Sequence, residues 1–171
     1  MTHIVLVGLM GAGKTTVGAA VGERLGRPFV DTDDVVEATT GRTVAEIFAT
    51  DGQDTFRVLE RQALADACAA PVPSVLACGG GAVLDPDNRR RLHETGYVVW
   101  LQAPPAVLAE RAGRSGTRPL LAGGGAQATL ERLASIREAA YEAAADATVS
   151  TDGRTVAEVA DAVIAAIPDA P

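Results

Sequence analysis

Metal clusters, disulfide frameworks and membrane spans each leave a mark that this sequence lacks. Its 171 residues include two cysteines, Cys68 and Cys78, with no metal-ligand spacing around them. Such thiols, in a reducing cytoplasm, are expected to be small, buried and unpaired. The two histidines, His3 and His93, are isolated and are expected to be structural or surface residues. No apolar run approaches the ~18 residues that a membrane span needs. The N-terminal stretch lacks the basic n-region and long apolar h-region of a secretory signal, so a cytoplasmic location is expected. A formal net charge of -7, with no basic stripe to offset it, argues against nucleic acid as the main partner. Neither an internal repeat nor a domain-length linker divides the chain, so residues 1–171 are expected to form one domain. No obvious coiled coil or apolar patch is present, and a monomer is the expectation.

What is present alternates. "HIVLVG" (3–8) is short and nearly all apolar, as expected of a strand buried on both faces. "FVDTD" (29–33), "SVLAC" (74–78), "YVVWL" (97–101) and "ATVST" (147–151) predict further strands. Helical spacing relates Val17, Val21 and Leu25 until Gly26 and Pro28 break it. It also relates Phe56, Leu59 and Ala63 within about 53–70, and Val156, Val159, Val163 and Ile167 near the C-terminus. Strands alternating with helices imply an α/β fold with a mostly parallel sheet covered on both faces. Ligands of such sheets sit beyond the carboxyl ends of the strands, so each loop after a strand is a candidate site.

The first such loop carries chemistry. "GLMGAGKTT", Gly8 to Thr16, matches G-x-x-x-x-G-K-[ST], the P-loop that wraps nucleotide phosphates. Gly8, Gly11 and Gly13 allow backbone angles that other residues resist and let main-chain N–H groups approach an anion. A helix beginning near Lys14 aims its unsatisfied N–H groups and positive dipole end at the same place. Gly11, Ala12, Gly13, Lys14, Thr15 and Thr16 are therefore the candidate phosphate contacts. Lys14 would reach the β/γ oxygens, and the Thr15 hydroxyl would ligate Mg²⁺. A glycine-rich turn with a chance lysine is the competing view, but it leaves the strand before and the helix after unexplained.

Other loops add candidates. Among the later predicted strands only "FVDTD" ends in carboxylates, so Asp31 is the magnesium-side acid by elimination. In an extended chain Asp33 points the same way, so one carboxylate would address metal and the other a substrate hydroxyl. The alternative is an Asx turn or helix cap at Asp33 or Asp34. Gly79-Gly80-Gly81 follows a buried strand, which suits a small polar molecule hydrogen-bonded to bare N–H groups, although a tight turn is the simpler reading. The segment "GRSGTRPLLAGGGAQ" (113–127) reads as a mobile lid or, more blandly, as a flexible loop. Arg57, Arg111, Arg118, Arg137 and Arg154 sit singly near predicted element ends, as anion-binding groups or as solvated surface charge.

"GLMGAGKTT", "DTD", "FR-x-x-E" (Phe56 to Glu60), "GGGAV" and "RPLL" occur in this order at these spacings. Together they closely resemble the shikimate kinase family, over about residues 3–165. The resemblance implies a P-loop NTPase of nucleoside-monophosphate-kinase-like fold, with a five-stranded parallel sheet flanked by helices and a mobile lid at about 112–125. It implies ATP-dependent, Mg²⁺-requiring phosphorylation of the 3-hydroxyl of shikimate in aromatic amino-acid biosynthesis, with a substrate-binding region at about 32–60. It places Asp31 on the magnesium side and gives Asp33 the reacting hydroxyl. Arg57 and Arg137 would bind the shikimate carboxylate, with Gly79 and Gly80 lining the same pocket and the Gly80 N–H contributing to it. Arg118 would contact ATP phosphates, Arg111 would flank adenine, and Arg154 matches a late nucleotide contact. Another small-molecule P-loop kinase, for gluconate or a nucleoside monophosphate, is the nearest rival. A nucleotide-binding switch without catalysis is the rival from another class.

Overall fold

The computed structural model describes residues 2–115 and 125–168, without the side chains of 113–115. Five strands are present: β1 (His3–Val7), β2 (Phe29–Asp31), β3 (Val75–Ala77), β4 (Gly96–Gln102) and β5 (Ala147–Ser150). They form one sheet in the order β2-β3-β1-β4-β5, and every pairing is parallel. The central strand β1 is buried at every residue, which is why Ile4 to Val7 form an unbroken apolar run rather than an alternating one.

The helices are α1 (Lys14–Leu25), α2 (Thr32–Thr40), α3 (Val44–Thr50), α4 (Gly52–Cys68), α5 (Pro86–Thr95), α6 (Pro105–Ser115), α7 (Ala126–Ala144) and α8 (Val156–Ala166). Local chemistry sets several of their ends. Gly26 closes α1 and Gly41 closes α2 in the left-handed conformation that glycine adopts without penalty. Thr43 with Glu46 and Thr155 with Glu158 form reciprocal capping boxes at the starts of α3 and α8.

Connection order decides which face each helix covers. From β2 through β3 and β4 to β5 the chain moves across the sheet in one direction, whereas β1 to β2 moves in the other. Right-handed crossovers then put α1 on one face, where it packs against α8, and the later crossover helices on the opposite face. The direction reverses beside β1. That switch point opens a crevice at the carboxyl end of β1, where the Gly8–Thr16 loop lies. A main core runs through the sheet and these helices, and a separate small core of Val36, Ile47, Phe56 and Ala63 holds α2, α3 and α4 together. The region at about 32–60 thus packs partly on itself.

Three expectations need correction. β2 stops at Asp31 rather than running to residue 33, because the Asp31 carboxylate accepts the Asp33 N–H at 3.0 Å and caps α2. Asp33 therefore sits in a first helical turn, and the extended-chain reason for pairing it with Asp31 fails; the cap is Asp31, not Asp33 or Asp34. On α8, Val159 and Val163 are buried as the stripe predicts, but Val156 is exposed and Ile167 lies just past the helix end. Residues 113–115 and 126–127, both within the expected 113–127 lid segment, are helical. Arg118, Leu120, Leu121 and the terminal residues 169–171 lie outside the described residues.

Leu76 on β3 is fully buried between β1 and β2. Truncating it to Ala should cost about 2–5 kcal/mol, the range for a leucine whose site cannot fully collapse. Urea denaturation of the Leu76→Ala variant, compared with the parent protein at constant m-value, measures this.

Candidate active site

Backbone geometry builds the first wall. Gly8, Gly11 and Gly13 all have positive φ, at 144°, 83° and 90°, where side-chain-bearing residues are strained. The first two are also sterically required. A Cβ on Gly8 would overlap the Leu101 carbonyl, and one on Gly11 would overlap the Leu108 carbonyl. The bareness of this loop thus serves packing against β4 and α6 as well as access for an anion. Lys14, the chain's single lysine, opens α1 and turns its Nζ back onto the loop, 2.8 Å from the Gly8 carbonyl and 3.1 Å from that of Leu9. Its charge is thereby held at the mouth of the anion cradle.

Thr15 and Asp31 are brought together by the fold. The Thr15 hydroxyl donates to Asp31 Oδ2 at 2.7 Å, while Oδ1 of the same carboxylate caps α2. Among the described residues no three His, Cys, Asp or Glu side chains converge on one point. The oxygen pair Thr15–Asp31 instead matches what Mg²⁺ needs when substrate phosphates and waters supply its remaining ligands.

A cavity of about 390 Å³ extends from this pair across Lys14 to Arg111, Arg154 and Val156. Arg111 donates to the Thr151 hydroxyl at 2.9 Å and to the Thr151 carbonyl at 2.8 Å, which ties α6 to the end of β5. Arg154 is held by the Ser150 and Glu158 carbonyls at 3.3 and 3.2 Å. The structure therefore brings Arg111 and Arg154 to the side of the cavity farthest along from β2, with their guanidinium groups steadied by backbone oxygens.

A second cavity, about 620 Å³, lies over α2, α3 and α4 and contains Asp33, Arg57, Glu60, Gly80 and Arg137. Thr15, Asp31, Asp33, Gly79 and Gly80 line both cavities. Arg57 pairs with Glu60 at 2.5 Å and lies over the Phe56 ring, 5.4 Å from its centre. Arg137, more deeply buried than Arg57, donates to the Gly80 carbonyl at 2.9 Å. Two guanidinium groups thus face one cavity that contains a single deeply buried carboxylate, Glu60. Burial pushes the Glu60 carboxyl up, against the opposing pull of Arg57 and Arg137, and its Oε1 has no hydrogen-bond partner among the described residues.

The triple glycine turns out to serve two purposes. A Cβ on Gly79 would overlap Glu60 Oε1, and one on Gly81 would overlap the Arg57 guanidinium, so these two glycines make room for the ion pair. Only at Gly80 does a Cβ find space, with its nearest neighbours at 3.4 Å. The expectation that the whole stretch stays bare for a ligand therefore narrows to Gly80. Gly79 is held from behind by Thr32, a buried residue whose hydroxyl accepts the Gly79 N–H at 3.2 Å.

Sequence reasoning missed Thr32, Thr151 and the acceptor-side lining residues Met10, Asp34 and Phe48. A hydroxyl between two aspartates was the only local sign of Thr32. Both cysteines are buried and free, as expected, and burial raises both thiols. His3 is buried with its Nδ1 accepting the Ser74 N–H, and His93 meets the Ala143 carbonyl, so both are structural.

The chain matches the family model described as shikimate kinase over residues 10–168. It is 50% identical to a shikimate kinase of Symbiobacterium thermophilum over 92% of this chain and 91% of that protein. It is 49% identical to one of Dechloromonas aromatica over 81% of this chain and 75% of that protein. Among solved structures, shikimate kinase from Acinetobacter baumannii in complex with shikimate is similar with a TM-score of 0.91 at 37% identity, covering 95% of this chain and 90% of that one. A gluconokinase from Sinorhizobium meliloti, at 22% identity and a TM-score of 0.60, shares the fold alone.

The raised Glu60 carboxyl makes a signed prediction. A carboxyl raised in the folded state contributes stability below its unfolded value, near 4.5, and loses it as pH rises through the folded value. Glu60→Gln removes that loss. The stability of the Gln variant relative to the parent should therefore increase as pH rises from 4 to 7, and a difference independent of pH would refute the assignment.

Proposed function

The chain belongs to the shikimate kinase family and has that family's activity in the shikimate pathway, and we propose how its residues divide the work. ATP donates its γ-phosphoryl group to the 3-hydroxyl of shikimate, giving shikimate 3-phosphate and ADP. ATP occupies the smaller cavity, against Gly11, Ala12, Gly13, Lys14, Thr15 and Thr16, with Arg111 and Arg154 toward its base. Shikimate occupies the larger one. The observation that carries this reading is the overlap of the two cavities at Thr15, Asp31, Asp33, Gly79 and Gly80. Donor and acceptor meet there.

In phosphoryl transfer the protein chiefly positions groups and neutralises charge. Lys14, held against the Gly8 and Leu9 carbonyls, reaches the β/γ oxygens in this reading. Thr15 and Asp31 would hold Mg²⁺, which when bound neutralises phosphate charge. Asp33 lies two residues further on, in the first turn of α2, where it aligns the acceptor hydroxyl and takes its proton. Arg57 and Arg137 bind the shikimate carboxylate as planar forks, beside the Gly80 N–H. Glu60 steadies Arg57 from below. Arg118 lies outside the described residues, and its contact with ATP phosphates rests on family resemblance alone, as does most of the lid. We propose that the protein is a monomeric cytoplasmic enzyme, a single domain with residues at about 32–60 as its acceptor region. In keeping with that, no helix among the described residues is long and apolar enough to cross a membrane.

ATP turnover with and without shikimate is the direct test: ADP release should require shikimate. Lys14→Ala should stay folded and lose at least ~100-fold in turnover, the scale of one key electrostatic stabiliser. Asp31→Asn should raise the Mg²⁺ concentration needed for half-maximal rate. Asp33→Asn should instead lower turnover and shikimate affinity while ATP binding and Mg²⁺ dependence stay near those of the parent. A changed Mg²⁺ requirement in the Asp33 variant with normal shikimate binding would reverse the two roles.

A further inference from the structure

Gly80 is the one glycine of its triplet with space around it, and a glycine is free to rotate about ψ unless something holds it. Two side chains do. The Gly80 carbonyl accepts from Arg137 Nη1 at 2.9 Å and from the Tyr141 hydroxyl at 2.5 Å, so both of its lone pairs are engaged. Arg137 and Tyr141 stand four residues apart on α7 and so share one helix face. The neighbouring peptides are fixed as well: the Gly79 N–H by Thr32, and the Gly79 carbonyl by the Ala82 N–H at 3.0 Å.

Tyr141 is well placed to act as an anchor. It is 1% exposed, and its ring stacks on Trp100 with centres 5.4 Å apart and planes inclined by 17°. Burial pushes its phenol up to about 12, with the Arg137 charge and hydrogen bond opposing. The hydroxyl therefore stays protonated and able to donate at neutral pH. It touches Gly80 and Arg137 but does not line the acceptor cavity.

We infer that Tyr141 is a positioning residue for the acceptor: its hydroxyl locks the Gly80 carbonyl and steadies Arg137, presenting the Gly80 backbone and one guanidinium fork together to the acceptor carboxylate. This rests on the assignment of the larger cavity to shikimate. Arg137 spends one N–H on Gly80, so its remaining donors are aimed by the same contact. Without the hydroxyl, Arg137 alone must satisfy the Gly80 carbonyl and loses the second donor that fixes their shared geometry.

The Tyr141→Phe variant removes the hydroxyl and keeps the ring. Its near-UV circular dichroism should retain the Trp100 stacking signal. Shikimate KM, and shikimate Kd by calorimetry, should rise about tenfold, the scale of one buried hydrogen bond. ATP KM should stay within about twofold. A rise in both KM values together, or a lowered Tm with neither KM changed, would show a merely structural tyrosine and overturn the inference. Arg57→Ala serves as the control on the underlying assignment. If it leaves shikimate affinity intact, the carboxylate reading itself fails; if it weakens shikimate while Tyr141→Phe does not, only the positioning role falls. Should Tyr141→Phe not fold, ¹⁹F NMR of the parent enzyme labelled with 3-fluorotyrosine decides, because Tyr97 is the only other tyrosine. The Tyr141 resonance should shift with shikimate and not with ATP, and a resonance that ignores shikimate overturns the inference.

Discussion

One carboxylate joins the two halves of this site. Asp31 accepts the Thr15 hydroxyl with one oxygen and the Asp33 N–H with the other. The first contact ties the end of β2 to the helix that follows the phosphate loop. The second turns the chain out of the sheet and starts α2, which forms part of the acceptor wall. Both contacts exploit the same property: an ionised carboxylate has lone pairs on two oxygens and can serve two donors at once. Because β2 and β1 are not adjacent in the sheet, with β3 between them, this contact bridges the crevice across the carboxyl end of β3. The triple glycine, which follows β3, lies in the same gap.

That position explains the composition of the triplet. Gly79 and Gly81 lack side chains because Glu60 and Arg57 occupy the space, and Gly80 lacks one where the two cavities meet. A buried acid beside an arginine is a weak source of stability, since burial penalises the charged carboxylate. Here its value is geometric: Glu60 sits one helical turn from Arg57 and holds the guanidinium in one orientation. The small separate core of α2, α3 and α4 supports that pair from beneath, with Phe56 both packed in that core and lying under Arg57. The lining of the larger cavity and the local packing are therefore built from the same few residues.

Contiguous features were legible in the residues. The phosphate loop needs glycines at fixed intervals, a lysine and a hydroxyl, all within nine positions, because the anion is wrapped by consecutive backbone. The strands could be read because a sheet covered on both faces demands apolar residues throughout. Asp31 was reached by elimination, and the contact with Thr15 supports its place. An extended chain does not carry Asp33 to the site, since the cap at Asp31 ends the strand before Asp33 is reached.

By itself the sequence determined the alternation of strands with helices, the phosphate loop, and the set of motifs that resembles the shikimate kinase family. Each depends on neighbours in the chain or on patterns of fixed spacing. Only the tertiary structure decided what holds those motifs in place. Thr32 meets Gly79 across 47 residues, Arg111 meets Thr151 across 40, and Tyr141 meets Gly80 across 61. Such partners leave no mark in a single sequence, because a buried hydroxyl and a bare carbonyl become a pair only once the sheet order has brought their loops together.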